Sequence, residues 1–314
     1  MHEVTTFSMG TYVQQKVYGK NREEGARMAA QAVQELEDLI SWRNGSGDVA
    51  AINEAAGKEF VPLDRRTEQV LRSALDVCEA SGGALDITIA PLSRLWDFDD
   101  NPHLPADEMI QEFLPKVDHS ALSLPGDGTA ALRLHETALD LGSVGKGAAC
   151  DAAITAYQQA GVGRAVVAVG GSIGVYGKKP FGEPWKIAVR DPNGDGSLGT
   201  ISLTEGFLST SGSYEKNFTE NGRTYHHLLD PATGYPAESG LVSVTVKSGE
   251  GVLSDGLSTA CFVLGWEKSL PLLKAFDAEA VFVTEGGQVL VTAGIWEDFS
   301  PMDGDFYTVK MLPD

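Results

Sequence analysis

An α+β fold is predicted for this chain of 314 residues, and three observations predict it. Strand-like and helix-like stretches alternate irregularly along the whole length, without the strict strand–helix–strand rhythm of a doubly wound sheet. No internal repeat or low-complexity linker divides the chain. The hydrophobic fraction is 42%, ordinary for a globular core and too high for a disordered segment. The length suits one large domain or two lobes sharing a cleft, and residues 1–314 are expected to form a single unit.

The elements follow in order. Residues 6–18 alternate like a strand, interrupted at Met9-Gly10. Residues 23–42 have helical periodicity, with Met28, Ala32, Leu36, Leu39 and Ile40 on one face. A second helix fits 65–81 and is stopped by Gly82-Gly83. Residues 100–127, rich in proline and acid, read as an excursion between lobes. Strand-like runs are 131–135, 165–169, 185–189, 199–203, 241–247, 280–284 and 288–292. Shorter helices fit 145–160, 255–264 and 266–276.

Charge excludes some partners. The formal net charge is -20 and the pI about 4.6, which argues against nucleic acid or anionic lipid over the surface at large. A local basic pocket around Lys146 or Arg190 remains open. Cys78, Cys150 and Cys261 are too few and too widely spaced for a disulfide framework or a zinc site. Neither a signal peptide nor a transmembrane run is visible. A cytoplasmic location is therefore expected, with export after removal of a signal as the alternative.

Three familiar motifs are approached and missed. Around Gly145-Lys146 a phosphate loop would need glycine at Asp140 and Ser or Thr at Gly147. A dinucleotide fingerprint before Gly171 would need glycine at Val169. Gly170-Gly-Ser172-Ile-Gly174 matches a hydrolase elbow in spelling, but the following VYGKKPFGEPW cannot form the required helix. A tight glycine turn between strands is expected there instead.

Other stretches carry chemistry. In Ser254-Asp255-Gly-Leu-Ser258-Thr259, Asp255 and Thr259 are four apart at the start of an expected helix, so they share a face. Both offer hard oxygen suited to Mg²⁺, although an Asp at a helix start is ordinarily a cap. In Ala138-Leu-Asp140-Leu-Gly-Ser143-Val-Gly145-Lys146-Gly147 an apolar strand ends in a glycine turn with a lysine. Such turns expose backbone groups to a phosphate or metal, or simply leave a solvated Lys. Before the turn sequence Asp230-Pro-Ala-Thr-Gly234 stand His226 and His227. In a strand they face opposite sides, so only one can enter a given cleft, as a general base or as a structural residue. Gly83 to Leu92 reads as a strand holding a buried polar pair.

Together these pieces resemble the ApbE-type FAD:protein FMN transferases, or flavin transferases. The matching blocks are Met9-Gly10-Thr11, Ala84-Leu85-Asp86-Ile-Thr88 with Pro91-Leu92 and Trp96, Asp140-Leu-Gly with Lys146-Gly147, and Val169-Gly-Gly171. Pro184-Trp185, Ser209-Thr-Ser-Gly212 with Tyr214, His227-Leu-Leu-Asp230-Pro231 through Pro236, and Asp255 with Thr259 continue the series. They span the chain from residue 7 to about 265.

The resemblance implies an ApbE-like α+β fold of two lobes with an FAD and Mg²⁺ cleft between them. It implies metal ligands at Ser143, Asp255, the Ser258 carbonyl and Thr259, and FAD contacts at Met9, Trp42, Ala84, Leu85, Asp86, Asp140, Lys146 and Leu229. The family's catalytic histidine corresponds to His227. FAD is then a substrate, and FMN passes to a Thr or Ser hydroxyl of an acceptor protein carrying an Asp-Gly-x-Ser/Thr-Gly-Ala/Ser-Thr motif, with AMP released. Water in place of the hydroxyl would give a side FAD pyrophosphatase activity. A non-catalytic FAD-binding or redox flavoprotein is the rival reading. The chain departs from the family at Leu85, usually Phe, at Trp42, often Tyr, and at Ser172, often acidic or amide.

Overall fold

The computed structural model describes residues 1–302 and 307–313. Its strands are β1 (His2–Ser8), β2 (Thr11–Tyr18), β3 (Val61–Pro62), β4 (Leu122–Ser123), β5 (Thr129–Leu132), β6 (Arg164–Val169), β7 (Ser172–Tyr176), β8 (Trp185–Arg190) and β9 (Ser197–Leu203). They continue as β10 (Gly206–Gly212), β11 (Asn217–Glu220), β12 (Arg223–His226), β13 (Leu241–Ser248), β14 (Glu279–Thr284), β15 (Gln288–Val291), β16 (Phe299–Pro301) and β17 (Thr308–Met311). The helices are α1 (Arg22–Ile40), α2 (Asp48–Glu54), α3 (Arg65–Ala80), α4 (Ala90–Trp96), α5 (Asp107–Phe113), α6 (Gly145–Gln159), α7 (Gly251–Leu264) and α8 (Trp266–Ala275). Among the described residues, no helix is long and apolar enough to cross a membrane.

Nine strands form one sheet in the order β1-β2-β6-β7-β10-β13-β14-β15-β17, antiparallel throughout except for the parallel pair β15–β17. Alternation along its strands splits two cores. On β14, Ala280 and Phe282 join the helices α3, α7 and α8, while Val281 and Val283 face the three-stranded sheet β16-β9-β8 with Ile187, Val189 and Ile201. Helices therefore cover one face of the large sheet and a small sheet covers the other, an α+β arrangement. Under β2 and β6, Val13, Val17, Val167 and Val169 pack on α1 and α6. There Gln15 is fully buried and accepts a hydrogen bond from the Tyr157 hydroxyl at 2.8 Å.

Several expectations need correction. Residues 84–92 are not a strand. The Asp86 carboxylate binds the Thr88 amide (2.8 Å) and hydroxyl (2.6 Å), which turns the chain locally, and α4 then starts with Pro91 in its first turn. Among the described residues, its sheet pairing is the single bridge from Ile89 to Ala138. The buried polar pair itself is present. Asp255 does not open its helix, because α7 begins at Gly251. The excursion at 100–127 carries structure of its own, since α5 places Ile110 beside Leu92, Trp96, Tyr225 and Leu229 in a separate apolar cluster. The strand expected at 131–135 ends at Leu132. The turn at Gly170-Gly171 does join two strands, and Ser172 starts β7, not a helix.

Candidate active site

Two glycine-containing turns build the floor of the site. Met9 and Gly10 form the two-residue turn between β1 and β2, both with positive φ (55° and 66°). That geometry suits a hairpin, and it is costly for a side chain such as Met9, which is half-buried and packed against both large cores. Gly170, also left-handed (φ 55°), heads the β6–β7 hairpin. A Cβ there would stand 3.3 Å from the Thr11 side chain and 3.4 Å from Lys146 Cδ. The Met9-Gly10-Thr11 block, the Gly170-Gly171 block and Lys146 thus meet, although they lie far apart in sequence.

Lys146 sits in the first turn of α6. Its ammonium donates to the Gly142 carbonyl at 3.1 Å and stands 3.8 Å from Asp255 Oδ2. The preceding turn is tied by Asp140, whose Oδ1 accepts from the Gly142 amide at 2.9 Å. Ser143 occupies this turn, half-buried. Asp255 is 3% exposed. Burial raises its carboxyl above the ordinary range, against the pull of Lys146, the Gly147 amide and the Ser172 hydroxyl.

Residues around Asp255 are hydroxyls. Ser211 on β10 reaches Ser258 at 2.7 Å and Thr259 at 3.1 Å. Ser209 donates to Ser172 at 3.0 Å and lies 2.8 Å from Ser254. The Thr259 hydroxyl, half-buried and only 3.5 Å from the Asp255 carbonyl, keeps acceptor capacity for a ligand. Ser258 is fully buried with its own hydroxyl on that carbonyl at 2.8 Å, so only its backbone oxygen, inside the helical run, is left. Among the described residues no group of three or more His, Cys, Asp and Glu gathers to hold a metal. One buried carboxylate with hydroxyl and carbonyl oxygens is a hard-donor set. It fits a Mg²⁺ that takes most of its ligands from phosphate and water.

The FAD residues divide. Leu85 is buried against α7, where a Cβ on Gly256 would meet it at 3.3 Å, so the 84–86 turn lies beside Asp255. Ala84 is half-buried. The Asp86 carboxylate is spent internally: besides Thr88, its Oδ2 accepts from the His119 amide (2.9 Å) and faces His119 Nδ1 (3.0 Å). Its work is to shape this turn. Leu229 is buried beside the Trp96 cluster and bridges to Pro236. Trp42 follows α1 and is flanked by two guanidinium groups, Arg43 at 4.6 Å and Arg94 at 4.8 Å from the ring centre.

His227 lies one residue past β12. Its amide donates to the Lys216 carbonyl at 3.0 Å, and Nδ1 lies 3.3 Å from the same oxygen. A carbonyl can only accept, so Nδ1 carries the proton and Nε2 keeps its lone pair. Burial, with the Lys216 and Lys146 cations, pushes the His227 pKa down to about 4. His226 looks elsewhere, edge-on to Phe262 of α7 with centroids 5.4 Å apart, and its Nε2 meets the Ala237 carbonyl at 3.2 Å.

Sequence reading missed Arg43, Arg94, Asp99 and Lys216. Asp99 pairs with both Lys216 and Arg43. Burial opposes its ionisation, but Lys216, Arg43 and His227 together hold it below the usual carboxylate range. This cluster links Trp42 to His227, and its members are 56 and 117 residues apart, so no local pattern could expose it. Arg190, by contrast, pairs with Glu215 at 3.0 Å and stacks over Tyr214. The two cavities described, of about 310 and 400 Å³, are lined by none of the candidate residues.

The profile of the ApbE family matches residues 9–282. The chain is 31% identical over 321 residues to the FAD:protein FMN transferase of Treponema pallidum (strain Nichols), covering 95% of this chain and 88% of that one. It is 28% identical to the FAD:protein FMN transferase of Klebsiella pneumoniae (strain 342), covering 96% and 95%. Among solved structures, the ApbE protein of Thermotoga maritima superposes with a TM-score of 0.88 at 31% identity, over 95% of this chain and 98% of that one. The flavinyl transferase ApbE of Pseudomonas stutzeri gives 0.83 at 29%, over 95% and 96%.

Proposed function

The chain belongs to the ApbE family, and from that membership we infer that it is a FAD:protein FMN transferase. FAD is its substrate and a second protein its acceptor. We propose further that transfer requires Mg²⁺, that the acceptor atom is a Thr or Ser hydroxyl, and that residues 1–314 work as a single unit. The observation that carries this reading is the pairing of Lys146 at the start of α6 with the buried Asp255 of α7, 3.8 Å apart and ringed by the hydroxyls of Ser211, Ser258 and Thr259.

The chemistry is displacement at phosphorus. The acceptor oxygen bonds to the FMN phosphorus, the bond from that phosphorus to the AMP oxygen breaks, and AMP leaves. Such transfers are governed by positioning and charge neutralisation. Lys146, anchored on the Gly142 carbonyl, is the positive charge that would face the diphosphate. Asp255 and Thr259, with Ser143 and the Ser258 carbonyl, are the oxygens that would hold Mg²⁺, whose bound charge would neutralise the phosphate oxygens. Nε2 of His227 takes the acceptor proton. Met9, the 84–86 turn, Asp140, Leu229 and Trp42 shape the remaining surface for the flavin and adenine ends. Where water enters instead of the hydroxyl, the same residues yield FMN and AMP.

A single incubation tests the reading. The protein is mixed with FAD, Mg²⁺ and a motif-bearing acceptor, and the acceptor is read by intact mass while AMP is quantified. A mass gain equal to FMN less water, with one AMP per acceptor, is expected. Bound FAD with no AMP would instead identify a flavoprotein that merely holds its cofactor.

A further inference from the structure

Helices α6 and α7 cap each other. Neither has a side-chain cap of its own: Val144 precedes α6 and Glu250 precedes α7, and neither side chain caps its helix. The free amides at both N-termini are satisfied across the interface. Asp255 of α7 accepts from the Gly147 amide of α6 at 2.9 Å. Asp151 of α6 accepts from the Gly251 and Val252 amides of α7, both at 2.8 Å. The spacing is the same in each helix, Gly147 to Asp151 and Gly251 to Asp255. The two glycines are in backbone contact: a Cβ on Gly147 would lie 2.0 Å from the Gly251 carbonyl oxygen, and one on Gly251 2.3 Å from the Gly147 oxygen. Each carboxylate also faces the positive end of the other helix's dipole.

One half of this reciprocal arrangement is the candidate site itself, for Lys146 and Gly147 begin α6 and α7 carries Asp255 and Thr259. The other half, Asp151, makes its side-chain hydrogen bonds to the Gly251 and Val252 amides and, among the described residues, none to a candidate site residue. It borders the separate cavity of about 400 Å³ with Ile154, Gln158 and Phe207. We propose that Asp151 is a positioning residue of the metal site, acting through α7: by holding the first two amides of α7 it sets where Asp255 and Thr259 stand relative to Lys146. The inference rests on the reading of Asp255 as a metal ligand given above. A group that holds a ligand-bearing element in place alters metal affinity without touching the metal, commonly by about 10–100-fold.

The test uses the whole chain with Asp151→Asn, which keeps the shape but turns an NH₂ group toward one of the two α7 amides. In metal-free protein, amide exchange is followed residue by residue by NMR. The Gly147 amide is expected to exchange about tenfold faster, although its own acceptor Asp255 is intact. With FAD saturating, the Mg²⁺ concentration for half-maximal AMP release should rise about tenfold, with the KM for FAD unchanged. An unchanged Gly147 amide overturns the link between the caps. An unchanged Mg²⁺ requirement with only a lower Tm overturns the positioning role and leaves Asp151 a structural cap. Failure of the wild-type protein to release AMP with Mg²⁺ overturns the transferase reading instead, and the exchange measurement still decides the link. Should Asp151→Asn not fold, Asp151→Ser, which keeps one acceptor, is read in the same two ways.

Discussion

The Lys146 ammonium stands 3.8 Å from the Asp255 carboxylate, one partner 31% exposed at its side chain and the other 4%. A buried carboxylate with a single half-solvated lysine beside it is undercompensated, and burial duly raises its carboxyl above the ordinary value. A raised folded-state value means stability that is full below the unfolded value, about 3.9, and that is lost as pH rises through the folded one. Burial of this carboxyl therefore costs the metal-free protein stability as pH rises above the ordinary carboxylate range. Asp255→Asn removes that cost while preserving an acceptor for Gly147. Transfer should fall by at least about 10²-fold, while the Tm of the metal-free protein at pH 7 holds or rises. EDTA should abolish transfer by the native enzyme. Full activity in EDTA would refute the magnesium proposal.

Gly147→Ala should be severe for a different reason. Its Cβ would fall 2.0 Å from the Gly251 carbonyl and 2.8 Å from Asp255 Cβ, contacts that only movement of α6 against α7 can relieve. Such overpacking costs about 3 kcal/mol or more, and the Tm should drop by roughly 10 °C. A thermal melt within a degree or two of wild type would show that the two helices slide freely.

FAD should bind far more tightly than FMN, because in the proposed reading the diphosphate and AMP moiety would supply the contacts to Lys146 and the metal oxygens. Quenching of flavin fluorescence, titrated with and without Mg²⁺, measures both affinities. Equal affinities would place the recognition in the flavin ring alone. Trp42 offers a finer check. Wedged between Arg43 and Arg94, it is expected to contribute by stacking, and Trp42→Ala should weaken FAD binding by about 1–2 kcal/mol, roughly tenfold in Kd.

How much of this could be read beforehand depended on range. Helices α1 and α3, with long amphipathic faces, and strands such as β13, with alternating valines, and β14, with the apolar run Ala280 to Val283, carry their periodicity in the local sequence. The turn at Met9-Gly10 and the Gly170-Gly171 hairpin announce themselves by glycine. The segment 84–92 misled because Ile87, Thr88 and Ile89 have strand character, whereas Asp86 captures the Thr88 amide and diverts the chain. Asp255 looked like the first residue of its helix because nothing local caps Gly251, the cap being Asp151, a hundred residues earlier. Of the candidate site, Lys146 in its glycine turn, Asp255 four residues before Thr259, and the His226-His227 pair stand out in the local sequence, and the family resemblance selects His227 from that pair. Arg43, Asp99 and Lys216 do not stand out, since only tertiary folding pairs them.

His227 and His226 form an internal control, one turned to the Lys216 carbonyl and the other to Phe262. With an ordinary histidine as base, the rate would fall below about pH 6.5. Burial and the Lys216 and Lys146 cations instead bring His227 down to about 4, so it stays neutral and competent as a base well into the acid range. The acid limb of kcat/KM, which reports the free enzyme, is therefore expected near pH 4. The limb of kcat should lie higher, because the FAD diphosphate offsets the lysine charges once bound. Stability runs in the same direction. Between about pH 6.5 and 4 the unfolded chain takes up a proton at this residue that the folded one refuses, so stability is present above that window and lost as pH falls through it. His227→Ala should remove that dependence and slow transfer by about 10²–10⁴-fold with FAD still bound. His226→Ala should cost about 1–2 kcal/mol of stability through its lost contact with Phe262 and leave most of the rate. If both variants lose the rate in proportion to their Tm, His227 is a brace for the Asp230-Pro231 turn and the proton goes elsewhere.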